Sequence, residues 1–377
     1  MFFSTQARAL GRLGLDLTVV TPTPWAPWPL PRLRPKWREY ARIPQRLVDD
    51  TVTVCRPRYL NVPGQPSWSR PDRRIAGAVW RVRRDWSGAR LIHGHYSVTG
   101  LAAWRVARRE GIPFVLTFHG DDLNLWPQQH PERIDELRTA VRQAAAVIAV
   151  SDAMADQIRR LTGVEAIHIP LGIDHGAIAA AALPRAEARR ELRLPDDRII
   201  VLMAGNLYQF KGVRLVADAI LGLAEPYLGV FVGEGPELAY GCDRPNAPRL
   251  LDYRGMQPHD LIPLYLSAAD VVVAPSEREG LPTILVEAAS LGVPVIASAV
   301  GGIPDLLADS RGALLPDIST GAVAAALRSF AAHRDEAAAA SERLRDYVYD
   351  RYDANRNAAR LLECYRSVAP GLAAGRS

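Results

Sequence analysis

The chain has 377 residues, 48% of them apolar and 23% charged. That length argues for two domains of ordinary size, and that composition for a globular protein rather than a disordered or fibrous one. No run approaches the roughly 18 apolar residues needed to span a bilayer, and Met1 to Leu10 holds no apolar core of signal-peptide length, so a cytoplasmic protein is expected. Cys55, Cys242 and Cys364 are far apart and form no C-x-x-C pair, which argues against a disulfide framework or a zinc site.

The net charge of +5 is unevenly spread. Residues 1–173 carry 25 basic and 15 acidic side chains, a net +10, and the remainder 21 and 26, a net −5. The basic half suits an anionic partner, with peripheral contact to an anionic membrane face as one form of it; ordinary solvated arginine explains the same excess. The basic residues are scattered and no nucleic-acid motif accompanies them, so nucleic acid is not an expected partner. Of the 46 basic residues only Lys36 and Lys211 are lysine. In a chain that otherwise uses arginine, a retained lysine suggests a place where a compact, mobile ammonium is required.

In chain order, Gln6–Gly14 reads as a helix. The strand and glycine-rich turn that normally open a Rossmann-type domain do not precede it, so this domain is expected to lack its first strand, through a misplaced start or a truncation. Strands follow at Leu17–Thr21, Thr51–Cys55, Arg90–His93, Phe114–Phe118 and Val147–Val150. Helices are expected at Arg73–Trp86, Thr99–Arg109, Pro131–Gln143 and Asp152–Leu161. Thr21–Pro35, rich in proline, reads as an irregular surface loop holding Trp25 and Trp28. Short strands, apolar on both faces and alternating with helices, describe a doubly wound parallel sheet.

The rhythm restarts after Asp174. Ile173–Pro184 reads as an alanine-rich linker. Strands are then expected at Ile199–Met203, Gly229–Val232, Val271–Ala274, Val295–Ala297 and Ala313–Leu315, and helices at Val213–Leu223, Leu261–Ser267, Thr283–Ser290 and Ala322–Ala332. Tyr352–Ser367 is amphipathic, with Ala354, Ala358, Leu361 and Tyr365 at helical spacing, and is expected to pack back on the first domain. The domains are thus 1–173, joined by a C-terminal helix at 350–368, and 174–349.

Three segments carry chemistry. In Ala268–Leu306 a buried strand ends at Pro275-Ser276, a loop carries Glu279 and Gly280, and a helix starting near Pro282 carries Glu287. Free N–H groups at the loop and helix start, with the helix dipole, suit a diphosphate. The two carboxylates flank that anion and can accept hydrogen bonds from hydroxyls at opposite ends of a ligand. In Val201–Gly212 a strand ends at Gly205 and Lys211-Gly212 opens a helix, so Lys211 can reach the same diphosphate and stabilise it as a leaving group. In Phe114–Asn124 a strand ends at His119, followed by Gly120-Asp121-Asp122. Ligands bind at the carboxyl ends of strands in such sheets, so His119 is a candidate and His93 and His95 weaker ones. The chain contains no D-x-D, so no metal is expected to hold the diphosphate.

At these residues the chain resembles the family-4 retaining glycosyltransferases, whose fold is GT-B: α/β, with two Rossmann-like doubly wound domains facing a cleft. Glu279 and Glu287 look like that family's E-x7-E pair, Gly205–Gly212 like its G-x-L-x-x-x-K-G phosphate loop, HGDD at His119–Asp122 like its H-G-x-D, and LGID at Leu171–Asp174 like its N-G-I-D. PTPWAP, WREY and PRYLNVP resemble the branch acting on cell-surface polysaccharides such as teichuronic acid. The resemblance implies a nucleotide-sugar co-substrate, no further cofactor, and retention at the anomeric carbon. The acceptor would be a cell-surface glycan or a lipid-linked acceptor, handled by the N-terminal domain. Glu279 would position the sugar hydroxyls, Glu287 the ribose and Lys211 the diphosphate. Gly205 and Asn206 would help line the phosphate loop. Gly280, Leu281, Pro282 and Thr283 would hold the donor through their backbone, the base would rest near Arg254, Gly255 and Met256, and His119 would meet the transferred sugar. Asn206 stands where the family usually carries arginine, and Arg278 is a candidate substitute. A non-catalytic scaffold that only binds sugar nucleotides fits the same motifs, and an epimerase on the same fold is a further alternative.

Overall fold

The computed structural model describes residues 2–27, 35–49, 52–61 and 70–372. The chain forms two compact units, one of Leu171–Asp353 and one of Phe2–Pro170 with Ala354–Ser377.

The second of these begins with a helix, Phe2–Arg12, followed by β1 (Thr18–Val20), β2 (Thr23–Trp25), β3 (Arg46–Asp49), β4 (Val52–Cys55) and β5 (Arg58–Leu60). Then β6 (Ile92–His95), β7 (Phe114–Phe118), β8 (Ala146–Ala149) and β9 (Ile167–His168) alternate with helices Ser97–Glu110, Ile134–Gln143 and Asp152–Thr162. The strands β6-β7-β8-β9 make one parallel sheet; β1 and β4 pair in parallel with β3 antiparallel at the edge, and β2 pairs with β5. Every residue of β7 is buried, as a strand covered on both faces requires. The helices start and stop by ordinary chemistry. Ser151 accepts from the Met154 N–H at one start, and Gly111 and Gly163 end two helices in the left-handed conformation. Ala9 and Leu10 of the first helix and Ala354, Ala358, Leu361 and Tyr365 of the last share a core with Val115 of β7 and Ile148 of β8. No ladder among the described residues joins β1 to β6.

In Leu171–Asp353, β10 (Ile199–Ala204), β11 (Tyr227–Val232), β12 (Leu251–Gly255), β13 (Val271–Ala274), β14 (Val295–Ser298) and β15 (Ala313–Leu315) form one parallel sheet in the order β12-β11-β10-β13-β14-β15. Alternate residues feed two cores. Ile200, Leu202, Val272 and Val295 pack on one face; Ile199, Val201, Met203, Val271 and Ile296 pack on the other. The strand order reverses between β10 and β13, and a sheet of this kind takes ligands at the carboxyl ends there.

Several elements differ from expectation. Ile173–Pro184 is not a linker: it contains the helix His175–Ala181, capped by Asp174 accepting from the Ala177 N–H at 3.0 Å and anchored by buried Ile178. Alanine favours a helix without any apolar contrast to reveal it. The strand expected at Arg90–His93 lies at Ile92–His95. The strand β12 was not anticipated, because Asp252 and Arg254 occupy one of its faces. Thr23–Trp25 is strand rather than loop, Trp28 lies outside the described residues, and the helix expected at Gln6–Gly14 runs from Phe2 to Arg12. Pro282 is the cap before the helix Thr283–Ser290 rather than its first residue.

Candidate functional site

The loops after β10 and β13 meet at the reversal point. Gly212, at φ +81°, ends the turn that carries Lys211, and a Cβ there would lie 2.4 Å from the Pro275 carbonyl oxygen. The two loops therefore pack backbone to backbone, and the Glu277 N–H donates to the Phe210 carbonyl at 2.8 Å. On the other side, a Cβ on Gly301 would lie 2.3 Å from the Glu279 carbonyl oxygen, and the Gly302 N–H donates to Gly280 at 2.7 Å. Only glycine allows either approach.

This moulding brings Lys211 and Glu279 together. The Lys211 Nζ lies 2.6 Å from the Glu279 Oε1, and the Ser276 hydroxyl donates to the same oxygen at 2.8 Å. Ser276 is itself buried, and its carbonyl accepts from the buried Ser298 hydroxyl. Ser276 was not singled out from the sequence, although its place three residues before Glu279 could have flagged it. Asn206 and Gly205 are exposed on the loop leaving β10. Arg278 lies 3.8 Å over the Phe210 ring, and Lys211 lies 5.6 Å from that ring's centre, so the two cations share one aromatic neighbour.

Gly280 and Leu281 are buried, and the helix Thr283–Ser290 starts with no side-chain cap, which leaves its first N–H groups available. Glu287 is buried on that helix, 3.2 Å from the His259 Nε2. Glu279 and Glu287 thus have separate partners. His259 is a second residue the sequence did not flag. At the end of β12, Arg254 pairs with Asp252 at 2.5 Å, the Gly255 carbonyl accepts from the Gly233 N–H, and Met256 is 66% exposed.

His119 belongs to the other unit, at the carboxyl end of β7. The register pairs His95 of β6 with Thr117 of β7, so His93, His95, Thr117 and His119 fall on one face. The His95 Nδ1 and His119 Nε2 are 3.0 Å apart, His93 lies 4.2 Å from His95 ring to ring, and the His93 Nε2 meets the Thr117 hydroxyl at 2.7 Å. The His93 Nδ1 meets the hydroxyl of Tyr365 at 2.5 Å. Burial lowers the pKa of all three histidines, to about 4 for His95; the other histidines add to the effect at His93 and His119. The i, i+2 spacing of His93 and His95 was the available signal for this row. Asp122 is buried and accepts from the His119 and Gly120 N–H groups, so it shapes the turn.

Against known proteins, the family profile "Glycosyl transferases group 1" matches residues 184–347, and "Glycosyltransferase Family 4" matches residues 2–176. The chain belongs to the family-4 glycosyltransferases, and it is a glycosyltransferase that uses a nucleotide-sugar donor. It is 33% identical to the Bacillus subtilis (strain 168) protein named for teichuronic acid biosynthesis, TuaC, over 98% of this chain and 94% of that one. It is 30% identical to a 2-deoxystreptamine N-acetyl-D-glucosaminyltransferase of Streptomyces fradiae, over 92% of this chain and 81% of that one. Among solved structures, sucrose-phosphate synthase from Thermosynechococcus elongatus superposes with a TM-score of 0.80 at 22% identity, covering 97% of this chain and 92% of that one. Anabaena HepE in complex with UDP-glucose gives 0.69 at 18% identity, covering 93% and 99%. These two show the shared two-domain α/β GT-B fold. No helix among the described residues is long and apolar enough to cross a membrane.

Proposed function

We propose that the chain moves a hexosyl group, with retention at the anomeric carbon, from a nucleoside-diphosphate sugar to a cell-surface glycan or lipid-linked acceptor. The observation that carries this reading is the Lys211–Glu279–Ser276 cluster at the reversal point of the β10–β15 sheet. A lysine ammonium has three donors, so Lys211 can keep Glu279 and still neutralise a departing diphosphate. Glu279, fixed by Ser276, accepts from hydroxyls of the transferred sugar. Glu287 accepts from the ribose, and the base lies along Arg254, Gly255 and Met256. Backbone N–H groups at Gly280, Leu281 and Thr283, with Pro282 setting the turn, cradle the phosphates together with Gly205 and Asn206.

The incoming hydroxyl attacks from the face the diphosphate leaves. The new C–O bond forms as the old one breaks, and the hydroxyl proton passes to a phosphate oxygen. His119 assists as a neutral hydrogen-bonding partner of a sugar hydroxyl. The nucleotide sugar is the only co-substrate in this scheme, and no cofactor takes part. Unit Leu171–Asp353 serves the donor and the other unit the acceptor. The net +10 of residues 1–173 supports peripheral contact with the anionic inner face of the membrane, with the protein otherwise cytoplasmic. TuaC carries a name that refers to teichuronic acid biosynthesis and HepE was crystallised with UDP-glucose, which favours a polysaccharide acceptor and a uridine donor. Calorimetry with UDP, GDP and ADP, followed by release of the nucleoside diphosphate from the matching sugar nucleotides, tests this. Binding of none of the three by the purified chain overturns it.

A further inference from the structure

Tyr96 is the single residue between β6 and the helix Ser97–Glu110. Its backbone lies at φ 59°, ψ 164°, a region that glycine enters freely and that strains any residue with a Cβ. The turn is fixed on both sides. A Cβ on Gly94 would lie 2.8 Å from the Ala103 Cβ, and one on Gly100 would lie 2.4 Å from the Leu116 Cδ1, so strand and helix are in close contact. The Tyr96 N–H donates to the Thr117 carbonyl at 3.0 Å, and the Gly100 N–H donates to the Tyr96 carbonyl at 2.8 Å. The chain thus uses glycine at 94 and 100, where space demands it, yet keeps tyrosine at 96, where conformation favours glycine. Such strain persists where the surrounding structure holds it in place, and it gathers at ligand-binding sites.

Tyr96 is 43% exposed, and its ring is tilted 44° against that of His119 with centres 4.6 Å apart. Behind it the imidazoles of His119, His95 and His93 continue the row at 5.2 and 4.2 Å. An exposed aromatic face backed by uncharged rings, at the carboxyl ends of β6 and β7, offers little to a phosphate. It suits a flat ligand with slightly positive C–H groups on one face and hydroxyls at its edge, because the π face is negative and the imidazole edge can hydrogen-bond. A pyranose ring has that form.

We infer that Tyr96 is a sugar-stacking residue of this transferase: its ring receives a pyranose, and the backbone strain at the β6 turn is retained to aim it there. The inference rests on the glycosyltransferase reading and adds to it a residue beside His119. The pyranose is either the transferred sugar or a sugar of the acceptor.

Tyr96→Ala, Tyr96→Gly and Tyr96→Phe in the full chain separate ring from strain. The probes are UDP-glucose alone, read as hydrolysis, and UDP-glucose with p-nitrophenyl glucoside, read as transfer. Tyr96→Ala and Tyr96→Gly are expected to lose at least tenfold in kcat/KM, and Tyr96→Phe, which keeps the ring, to restore most of that loss. Tyr96→Gly is expected to melt several degrees above Tyr96→Ala, since it alone removes the strain. A raised KM for UDP-glucose without acceptor identifies the transferred sugar; a raised KM for the glucoside alone identifies the acceptor. Wild-type kinetics for Tyr96→Gly in both arms overturn the proposal. Failure of the donor reading is distinct from this, since wild type itself would then bind no nucleoside diphosphate.

Discussion

The loops at the β10–β13 reversal and the histidine row on β6 and β7 are built on opposite principles. The first is charged and moulded by backbone: Gly212 and Gly301 permit contacts that no other residue allows, and a lysine and a glutamate are brought to 2.6 Å. The second is moulded by side chains: three histidines whose pKa values burial lowers lie in a row of ring contacts, with Tyr96 and Tyr365 at its ends. A departing diphosphate needs charge held in place, and a sugar hydroxyl needs a donor or acceptor that does not compete as an ion. In the proposed function, leaving-group chemistry falls to the first region and hydroxyl recognition to the second.

The strongest way to break this contrast is to remove the charge. Lys211→Ala and Glu279→Ala should each lower kcat/KM by about a hundredfold or more, near 2.7 kcal/mol of transition-state stabilisation. Because the two groups touch, the double variant should lose less than the product of the single losses, as steady-state kinetics of the four proteins would reveal. Multiplicative losses would mean that the pair acts as two independent groups.

Backbone comes next. Gly212→Ala meets both a left-handed φ and the Pro275 carbonyl, whereas Gly163→Ala meets a left-handed φ with open space around it. The former should destabilise by roughly 2–4 kcal/mol and weaken UDP binding, and the latter by about 1 kcal/mol with binding unchanged. Denaturant melts and calorimetry measure both, and equal losses would show that the two loops are not pressed together.

The neutral row should reveal itself through pH. Its histidines have folded pKa values below the ordinary 6.5, so the unfolded chain binds more protons across that interval. Their contribution to stability is complete above pH 6.5 and is lost as pH falls toward about 4, with a slope of up to about 1.4 kcal/mol per pH unit for each histidine. Melting temperature measured from pH 7.5 to 4.5 should fall less steeply in His95→Gln; parallel curves would sink this account. The smallest effect concerns Ser276. Ser276→Ala removes one hydrogen bond to Glu279, and kcat should fall about five- to tenfold, the worth of one ordinary hydrogen bond, with UDP affinity unchanged.

The contrast also explains which parts of the molecule were legible in sequence. Loops shaped by glycine and proline leave marks at fixed spacing, so Lys211, Glu279 and Glu287 could be picked out as candidates, and β7 and β13 were readable because they are almost wholly apolar and buried throughout. The histidine row leaves weaker marks. His93-Gly94-His95 does not look like a strand, so β6 was placed two residues early and its partnership with His119 went unseen until the β6–β7 register was known. The helix His175–Ala181 escaped because a run of alanine has no apolar rhythm, although Asp174 was a cap signal. The Lys211–Glu279 contact itself spans 68 residues and depends on how two loops pack, which no spacing rule encodes.

The scarcity of lysine has a practical outcome. Lys36 and Lys211 are the only side-chain amines in the sequence, and Lys211 is engaged with Glu279. An amine-selective acylating reagent therefore has few targets besides the chain terminus. The rate at which residue 211 is modified becomes a direct gauge of occupancy, slowed by any anion seated on the ammonium and quickened by Glu279→Gln, readable by mass spectrometry without knowing the acceptor.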